Sequence, residues 1–163
     1  MASAIIALGG NVGDVRATFK KAVGEICRLA QAELLARSSD YGTPPWGDMQ
    51  QARFVNACIE IQTTLGPLAL LSVLLAIERA FGRDRSRERR WGPRSLDLDL
   101  IAYDDISMAE PELTLPHPRL FDRAFVLVPL AEIAPDRLIA GRCAKATLAE
   151  IGSEGIERLP DRT

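Results

Sequence analysis

A chain of 163 residues fits one ordinary domain, and at this size roughly 68–70% of the unfolded chain's surface is buried, so a true core can form. Hydrophobic residues at 47% and charged residues at 26% are normal for a globular protein, which argues against a disordered or fibrous chain. A net charge of −2 excludes nucleic-acid binding by overall charge, so any affinity for anions has to come from a local cluster. Cys27, Cys58 and Cys143 are odd in number and have neither zinc-ligand nor redox-motif spacing, which points to a reducing, cytoplasmic compartment. The opening MASAIIALGGN has no charged leader before its apolar run and does not read as a signal peptide. The longest apolar stretch, 65–77, is too short to span a bilayer.

In chain order, the compact apolar run from Ser3 to Leu8 ends in Gly9-Gly10-Asn11, a strand and a turn. Val15, Phe19, Val23, Ile26 and Leu29 recur at helical spacing over 14–30, with Asp14 placed to cap the start. Glu33 to Tyr41 predicts a second strand, and Gly42-Thr43-Pro44-Pro45-Trp46-Gly47 breaks regular structure. Phe54 to Thr64 alternates as a third strand. Pro67 opens a mostly apolar helix that ends at Gly82. A charged loop over 83–95 leads into a fourth strand, Ser95 to Tyr103, followed by an Asp104-Asp105 turn. A helix lies within Arg119 to Ile133, and a weaker one follows Cys143. The order β-α-β-β-α-β predicts one domain of the α+β class: an antiparallel, ferredoxin-like sheet with helices on one face.

Two features carry chemistry. In Ser95-Leu96-Asp97-Leu98-Asp99-Leu100-Ile101, strand alternation puts Asp97 and Asp99 on one face and the leucines on the other, toward a core. Asp is disfavoured in strands, and two ionised neighbours on one face repel unless a cation lies between them. The pair reads either as the polar outer face of a half-exposed strand or as a Mg²⁺ platform. Mg²⁺ typically takes one or two carboxylates plus substrate phosphates, and two such ions about 3.5–4 Å apart can clamp attacking and leaving oxygens.

The second feature is RDRSRERRWGPR over 83–94, with Arg at 83, 85, 87, 89, 90 and 94. Alone it reads equally well as a solvated loop. The chain's 17 Arg against 3 Lys reflect either genome composition or phosphate recognition. Feeding directly into the carboxylate strand, however, the loop brings guanidinium groups and metal-binding carboxylates together, the pairing that phosphoryl transfer requires. No P-loop lysine motif and no G-x-S-x-G elbow competes with this reading, and Gly9-Gly10-Asn11-Val12-Gly13 is a tight turn rather than a dinucleotide fingerprint.

The string from Arg90 to Leu100, RWGPRSLDLDL, closely resembles the signature of the 6-hydroxymethyl-7,8-dihydropterin pyrophosphokinases of folate biosynthesis. Ala7 to Asn11, Tyr41 to Pro45, Phe54-Val55-Asn56, Glu78, Leu113 to Pro118, Arg123-Ala124-Phe125 and Pro129-Leu130 agree in order, so the resemblance covers about residues 4–135. It implies a cytoplasmic transferase that moves a pyrophosphoryl unit from ATP to the pterin's hydroxymethyl oxygen and leaves AMP. It implies two Mg²⁺ ions on Asp97 and Asp99, with Arg83 and Arg94 as catalytic arginines. The ATP contacts it implies are Glu78, Arg85, Arg90, Trp91, Arg94, Leu100, Thr114, His117 and Arg123. The pterin contacts are Thr43, Pro44, Pro45, Trp46, Gly47, Phe54, Asn56, Trp91 and Phe125. The residues suit that assignment, because a flat bicyclic ring needs aromatic faces and the Asn56 amide supplies a donor and an acceptor. The chain departs from common family residues at Gly10, Phe54, Glu112 and Pro118, which bears on ATP affinity rather than on reaction type.

ATP and a reduced pterin are the expected partners of a monomer, with no nucleic acid and no membrane. Three other readings remain at this stage. An RNA-recognition module shares the β-α-β-β-α-β plan but needs a stacked aromatic pair in its central strands, which the sequence lacks. An ordinary kinase would move only the γ-phosphoryl group. A non-catalytic pterin-binding homologue would have no use for Asp97 and Asp99.

Overall fold

The structure, a computed structural model, describes residues 1–43, 53–82 and 95–162. The elements in chain order are β1 (Ala2–Gly10), α1 (Val15–Leu29), β2 (Glu33–Arg37), β3 (Tyr41–Thr43), β4 (Phe54–Thr63), α2 (Pro67–Ala80) and β5 (Asp97–Tyr103). A short hairpin, β6 (Met108–Ala109) and β7 (Thr114–Leu115), and a 3-10 turn (Leu120–Asp122) lead to α3 (Ala124–Ile133). The chain continues with α4 (Ala144–Ile151) and β8 (Glu157–Arg158).

The main sheet runs β5-β1-β4-β3-β8, and β2 also pairs with β4. The four strands of the predicted pattern are all antiparallel to their neighbours, with β1 between β4 and β5. The helix boundaries follow local chemistry. The Asp14 side chain accepts the Ala17 N–H at 3.2 Å and so caps α1. Pro67 supplies the first residue of α2, where its missing N–H costs nothing, and the chain leaves the helix through Gly82 at φ +88°.

Three expectations need correction. The single strand over 33–41 is two strands. At the break, the Ser38 hydroxyl accepts the Cys58 N–H at 2.9 Å, and Asp40 pairs with Arg16 and Arg37. Short polar side chains compete with the backbone ladder in this way and interrupt strands. Second, the helices do not share one face. Ala4, Ile6 and Leu8 pack with α1 and α2 against Leu96, Leu98 and Leu100. Ile5 and Ala7 pack on the opposite side with Cys58, Ile101, α3 and α4. That two-sided burial explains why β1 is an almost unbroken apolar run rather than an alternating one. Third, the C-terminal segment adds β8 to the edge of β3, an element with no hydrophobic signature.

β5 obeys the predicted alternation. Leu96, Leu98 and Leu100 are buried, while Asp97 and Asp99 are partly exposed on the opposite face. Burying each leucine is worth roughly 1.5–3 kcal/mol. A one-residue slip would exchange the leucines and the aspartates, so the core holds the carboxylates outward.

Candidate active site

The antiparallel registers place Asp97, Gly9, Asn56 and Tyr41 in one row across β5, β1, β4 and β3. Asp99, Ala7 and Cys58 form the next row. Directly opposed residues share a face of the sheet, so Asp97 and Asn56 flank Gly9 on the α3 side. A Cβ at Gly9 would lie 3.1 Å from the Asn56 Oδ1, so glycine is what permits the Asn56 amide to sit where it does. Asn56 is buried and donates from Nδ2 to the Thr43 Oγ1 at 2.9 Å; Thr43 is buried as well.

Above this row lies an open pocket of about 80 Å³. Ala7 and Gly9 form its floor, Phe54 and Phe125 are aromatic walls, and Thr43 and Asn56 are its buried polar groups. Asp97, Asp99 and Arg123 complete the lining. Arg123 Nη1 lies 3.8 Å from Asp99 Oδ2, and its guanidinium carbon is 5.7 Å from the Phe125 ring centroid. A cation therefore answers the charge of the paired carboxylates from the start of α3.

A second cleft follows the outer edge of β5. Leu71 and Leu75 of α2 face Leu100 across it, and Glu112, Thr114 and His117 close it from the β7 side. Asp99 lines both spaces and is their point of contact. Glu78 is 1% exposed, and its Oε2 accepts the Leu98 N–H at 2.7 Å. It lines neither cleft among the described residues, and its bond to Leu98 ties α2 to the edge of β5. Because the Leu98 N–H points away from β1, alternation turns the backbone polar groups of Leu100 to the same outer edge.

The His117 backbone N–H donates to the Ile101 carbonyl at 2.8 Å, pinning the segment after β7 beside β5. Its ring Nδ1 accepts the Arg119 N–H at 3.1 Å, which leaves Nε2 as the ring's N–H. Burial chiefly, then the charges of Arg123 and Arg119, pushes the imidazole down to about 4, against an opposing pull from Asp97. His117 is therefore a neutral hydrogen-bonding group at physiological pH and not a general base.

Of the residues that the sequence nominates, the structure brings Thr43, Phe54, Asn56, Asp97, Asp99, Arg123 and Phe125 into one pocket, and Leu100, Thr114 and His117 into the adjoining cleft. Pro44, Pro45, Trp46, Gly47, Arg83, Arg85, Arg90, Trp91 and Arg94 lie outside the described residues. Gly9, Leu71 and Leu75 were not singled out as lining residues. Gly9 carries a signal in its position straight after an apolar strand, whereas the leucines are indistinguishable in sequence from core. Glu112 and Pro118, two of the departures from family residues, do line the second cleft.

The His117 environment yields a test of stability. Its folded pKa lies below the ordinary value of 6.5, so only the unfolded chain takes up this proton between pH 6.5 and about 4. This contribution is complete above pH 6.5 and declines as pH falls through that window, by up to about 1.4 kcal/mol per pH unit. In His117→Asn, whose amide oxygen can still accept the Arg119 N–H, the decline attributable to this group should vanish. Urea unfolding at pH 7, 5.5 and 4.5 should therefore show wild type losing stability relative to the variant as pH falls. Parallel curves would show that the imidazole is not held neutral by the fold.

Comparison with known proteins agrees with the geometry. Residues 5–135 match the family described as 7,8-dihydro-6-hydroxymethylpterin-pyrophosphokinase (HPPK). A Methylorubrum extorquens protein named 2-amino-4-hydroxy-6-hydroxymethyldihydropteridine pyrophosphokinase is 48% identical over 159 residues, covering 98% of this chain and 99% of that one. The Pseudomonas aeruginosa protein of the same name is 44% identical over 156 residues, 95% of each chain. Among solved structures, an HPPK-DHPS in complex with substrates superposes with a TM-score of 0.75 at 12% identity, over 97% of this chain and 47% of that one. The Plasmodium falciparum HPPK-DHPS with pteroate gives 0.75 at 12% identity, over 96% and 45%. The chain thus spans about half of those longer chains, which share its fold. The protein is a member of the 7,8-dihydro-6-hydroxymethylpterin-pyrophosphokinase family.

Proposed function

We propose that the chain transfers the terminal pyrophosphoryl unit of ATP to the hydroxymethyl oxygen of 6-hydroxymethyl-7,8-dihydropterin in folate biosynthesis, giving AMP and the pterin diphosphate. The observation that carries this reading is the junction at Asp99. A pocket with aromatic walls, a buried amide and the paired carboxylates meets a second cleft at Asp99. Metals and arginines alone would serve transfer of one phosphorus or two; family membership selects two.

In this reading Asn56 and Thr43 engage the amide-like edge of the pterin, and Phe54 and Phe125 cover its faces. The ring would approach Gly9 and Ala7 closely, with its hydroxymethyl group toward Asp97 and Asp99. Adenine would lie along the β5 edge, where the Leu100 backbone can pair with it and where Thr114 and the His117 Nε2–H offer polar contacts. Glu78 acts indirectly, by holding the Leu98 amide.

The donor set suits Mg²⁺. Asp97 and Asp99 are two hard oxygen ligands on one face, partly exposed, with the Arg123 cation already against one of them. They would hold two ions, which when bound supply charge neutralisation to the phosphates and polarise the oxygens to be joined and parted. Arg123 is positioned to share the phosphate charge. The roles of Arg83, Arg94, Arg85, Arg90 and Trp91, and of Pro44, Pro45, Trp46 and Gly47, rest on the resemblance of their motifs. The bond formed joins the pterin hydroxymethyl oxygen to the β-phosphorus. The bond broken joins that phosphorus to the oxygen bridging it to the α-phosphorus, which leaves on AMP.

No helix among the described residues is long and apolar enough to cross a membrane, and Cys27, Cys58 and Cys143 are free thiols. Both fit the cytoplasmic placement that we adopt.

The product assay is decisive for the reaction. Incubation with MgATP and 6-hydroxymethyl-7,8-dihydropterin should yield AMP in step with pterin diphosphate; stoichiometric ADP without AMP would contradict pyrophosphoryl transfer. For the carboxylates, Asp97→Asn and Asp99→Asn should each lower kcat by about 100-fold or more, a barrier change of several kcal/mol. Thermal unfolding should stay close to wild type, since each change removes one of two repelling charges. Near wild-type turnover of both variants at saturating Mg²⁺ would show that these carboxylates do not hold the metal.

A further inference from the structure

Residues beyond 135 lie outside the family match, yet their last stretch is tied to the strand that carries Thr43. β3 is only three residues long, Tyr41–Thr43, and pairs with β4 through Tyr41↔Asn56 and Thr43↔Phe54. On its other side it is closed by β8, through Tyr41↔Arg158 and Gly42↔Glu157. The Leu159 N–H extends this seam, donating to the Asp40 carbonyl at 2.8 Å. The row that runs from Asp97 through Gly9, Asn56 and Tyr41 therefore ends on Arg158 in the C-terminal segment.

Arg53 fastens the two together. It immediately precedes Phe54, and its Nη2 donates to the Gly42 carbonyl at 3.0 Å and to the Gly155 carbonyl at 3.3 Å. Its Nη1 lies 3.3 Å from the Glu157 carboxylate. One planar guanidinium thus spans the residue before Thr43, the residue before Phe54 and the C-terminal segment. An isolated pairing this short is marginal, and the exposed ion pair by itself contributes little. The consequence is local: loss of the clasp would free Thr43 to shift against Asn56, whose Nδ2–Oγ1 bond of 2.9 Å sets the spacing of the two buried polar groups.

We propose that the C-terminal strand, clasped by Arg53, is a positioning element for the pterin: it fixes β3 so that Thr43 and Asn56 present their hydrogen-bonding groups at the spacing the ring edge requires. This rests on the pterin assignment of the pocket. Neither Arg53 nor β8 lines the pocket, and the nucleotide cleft lies at the opposite edge of the sheet, beyond β4 and β1. The effect should therefore fall on one substrate.

The test uses Arg53→Gln and Leu159→Pro in the full chain. The first removes the cationic fork; the second deletes the N–H that bonds to Asp40. Steady-state kinetics for each substrate, direct binding of the dihydropterin and of MgATP, and thermal midpoints are measured together. Each variant should raise the KM and Kd for the pterin by about tenfold, the scale of one lost hydrogen bond. The KM for MgATP and the thermal midpoint should remain close to wild type. Unchanged pterin affinity in both variants would overturn the inference. So would equal weakening of both substrates, a fall in kcat alone, or loss of folding in Arg53→Gln, each of which would make the clasp a general structural element. Wild type and Asn56→Ala serve as references. If wild type does not bind the pterin, or Asn56→Ala binds it equally well, the pocket assignment itself fails; if both behave as assigned while the clasp variants match wild type, only the role of the C-terminal strand is lost.

Discussion

The register of β1 between β4 and β5 is the constraint on which the rest of this molecule depends. Gly9 stands opposite Asn56 on one side and Asp97 on the other, so an amide and a carboxylate are set one strand apart on either side of a residue with no side chain. Neighbouring strands are about 4.8 Å apart, so the two functional groups are separated by roughly the width of a bicyclic ring. That separation is fixed by hydrogen-bonded backbone and not by adaptable side chains. It is enforced from behind by the packing of Ile6, Leu8, Leu98 and Leu100 with α1 and α2, where a one-residue slip would bury the carboxylates and expose leucine.

Charge is organised around the same frame. The paired carboxylates of β5 are costly to hold together without a counter-charge, and Arg123 supplies one at 3.8 Å from Asp99. Burial first, and then the charges of Arg123 and Arg119, keep His117 neutral. The site thus combines paired carboxylates, a guanidinium and an uncharged imidazole, the set that our proposal assigns to metal, phosphate and nucleotide. The two spaces share Asp99, so they adjoin at a carboxylate.

Much of this was legible in the sequence, for identifiable physical reasons. Period-two alternation in Leu96-Asp97-Leu98-Asp99-Leu100 placed two carboxylates on one face, and the helical spacing from Val15 to Leu29 gave α1 its boundaries. The motif resemblance nominated Thr43, Asn56, Phe54 and Phe125, which the fold gathers from three separate elements. What escaped is what depends on long-range pairing. The break at Ser38 is set by a hydroxyl bonded to Cys58, 20 residues away. The second layer of helices was implied by the unbroken apolar run of β1, but α3 could not be assigned to a face without the sheet. β8 is two exposed residues, Glu157 and Arg158, with no apolar pattern to announce it. Glu78, nominated by motif resemblance alone, is also buried against the Leu98 amide, a link to the strand edge that only the fold reveals.

If the register at Gly9 is the governing constraint, filling the gap it leaves should disable ring recognition without disturbing the rest. A methyl group there would press on the Asn56 Oδ1 from 3.1 Å while remaining 3.8 Å from the Asp97 Cβ. The most direct measurement is calorimetric titration of Gly9→Ala with the dihydropterin and, separately, with MgATP. The account predicts that pterin affinity falls by about tenfold or more while MgATP affinity changes by less than about threefold, under 1 kcal/mol. Pterin affinity equal to wild type, or parallel weakening of both ligands, would contradict it.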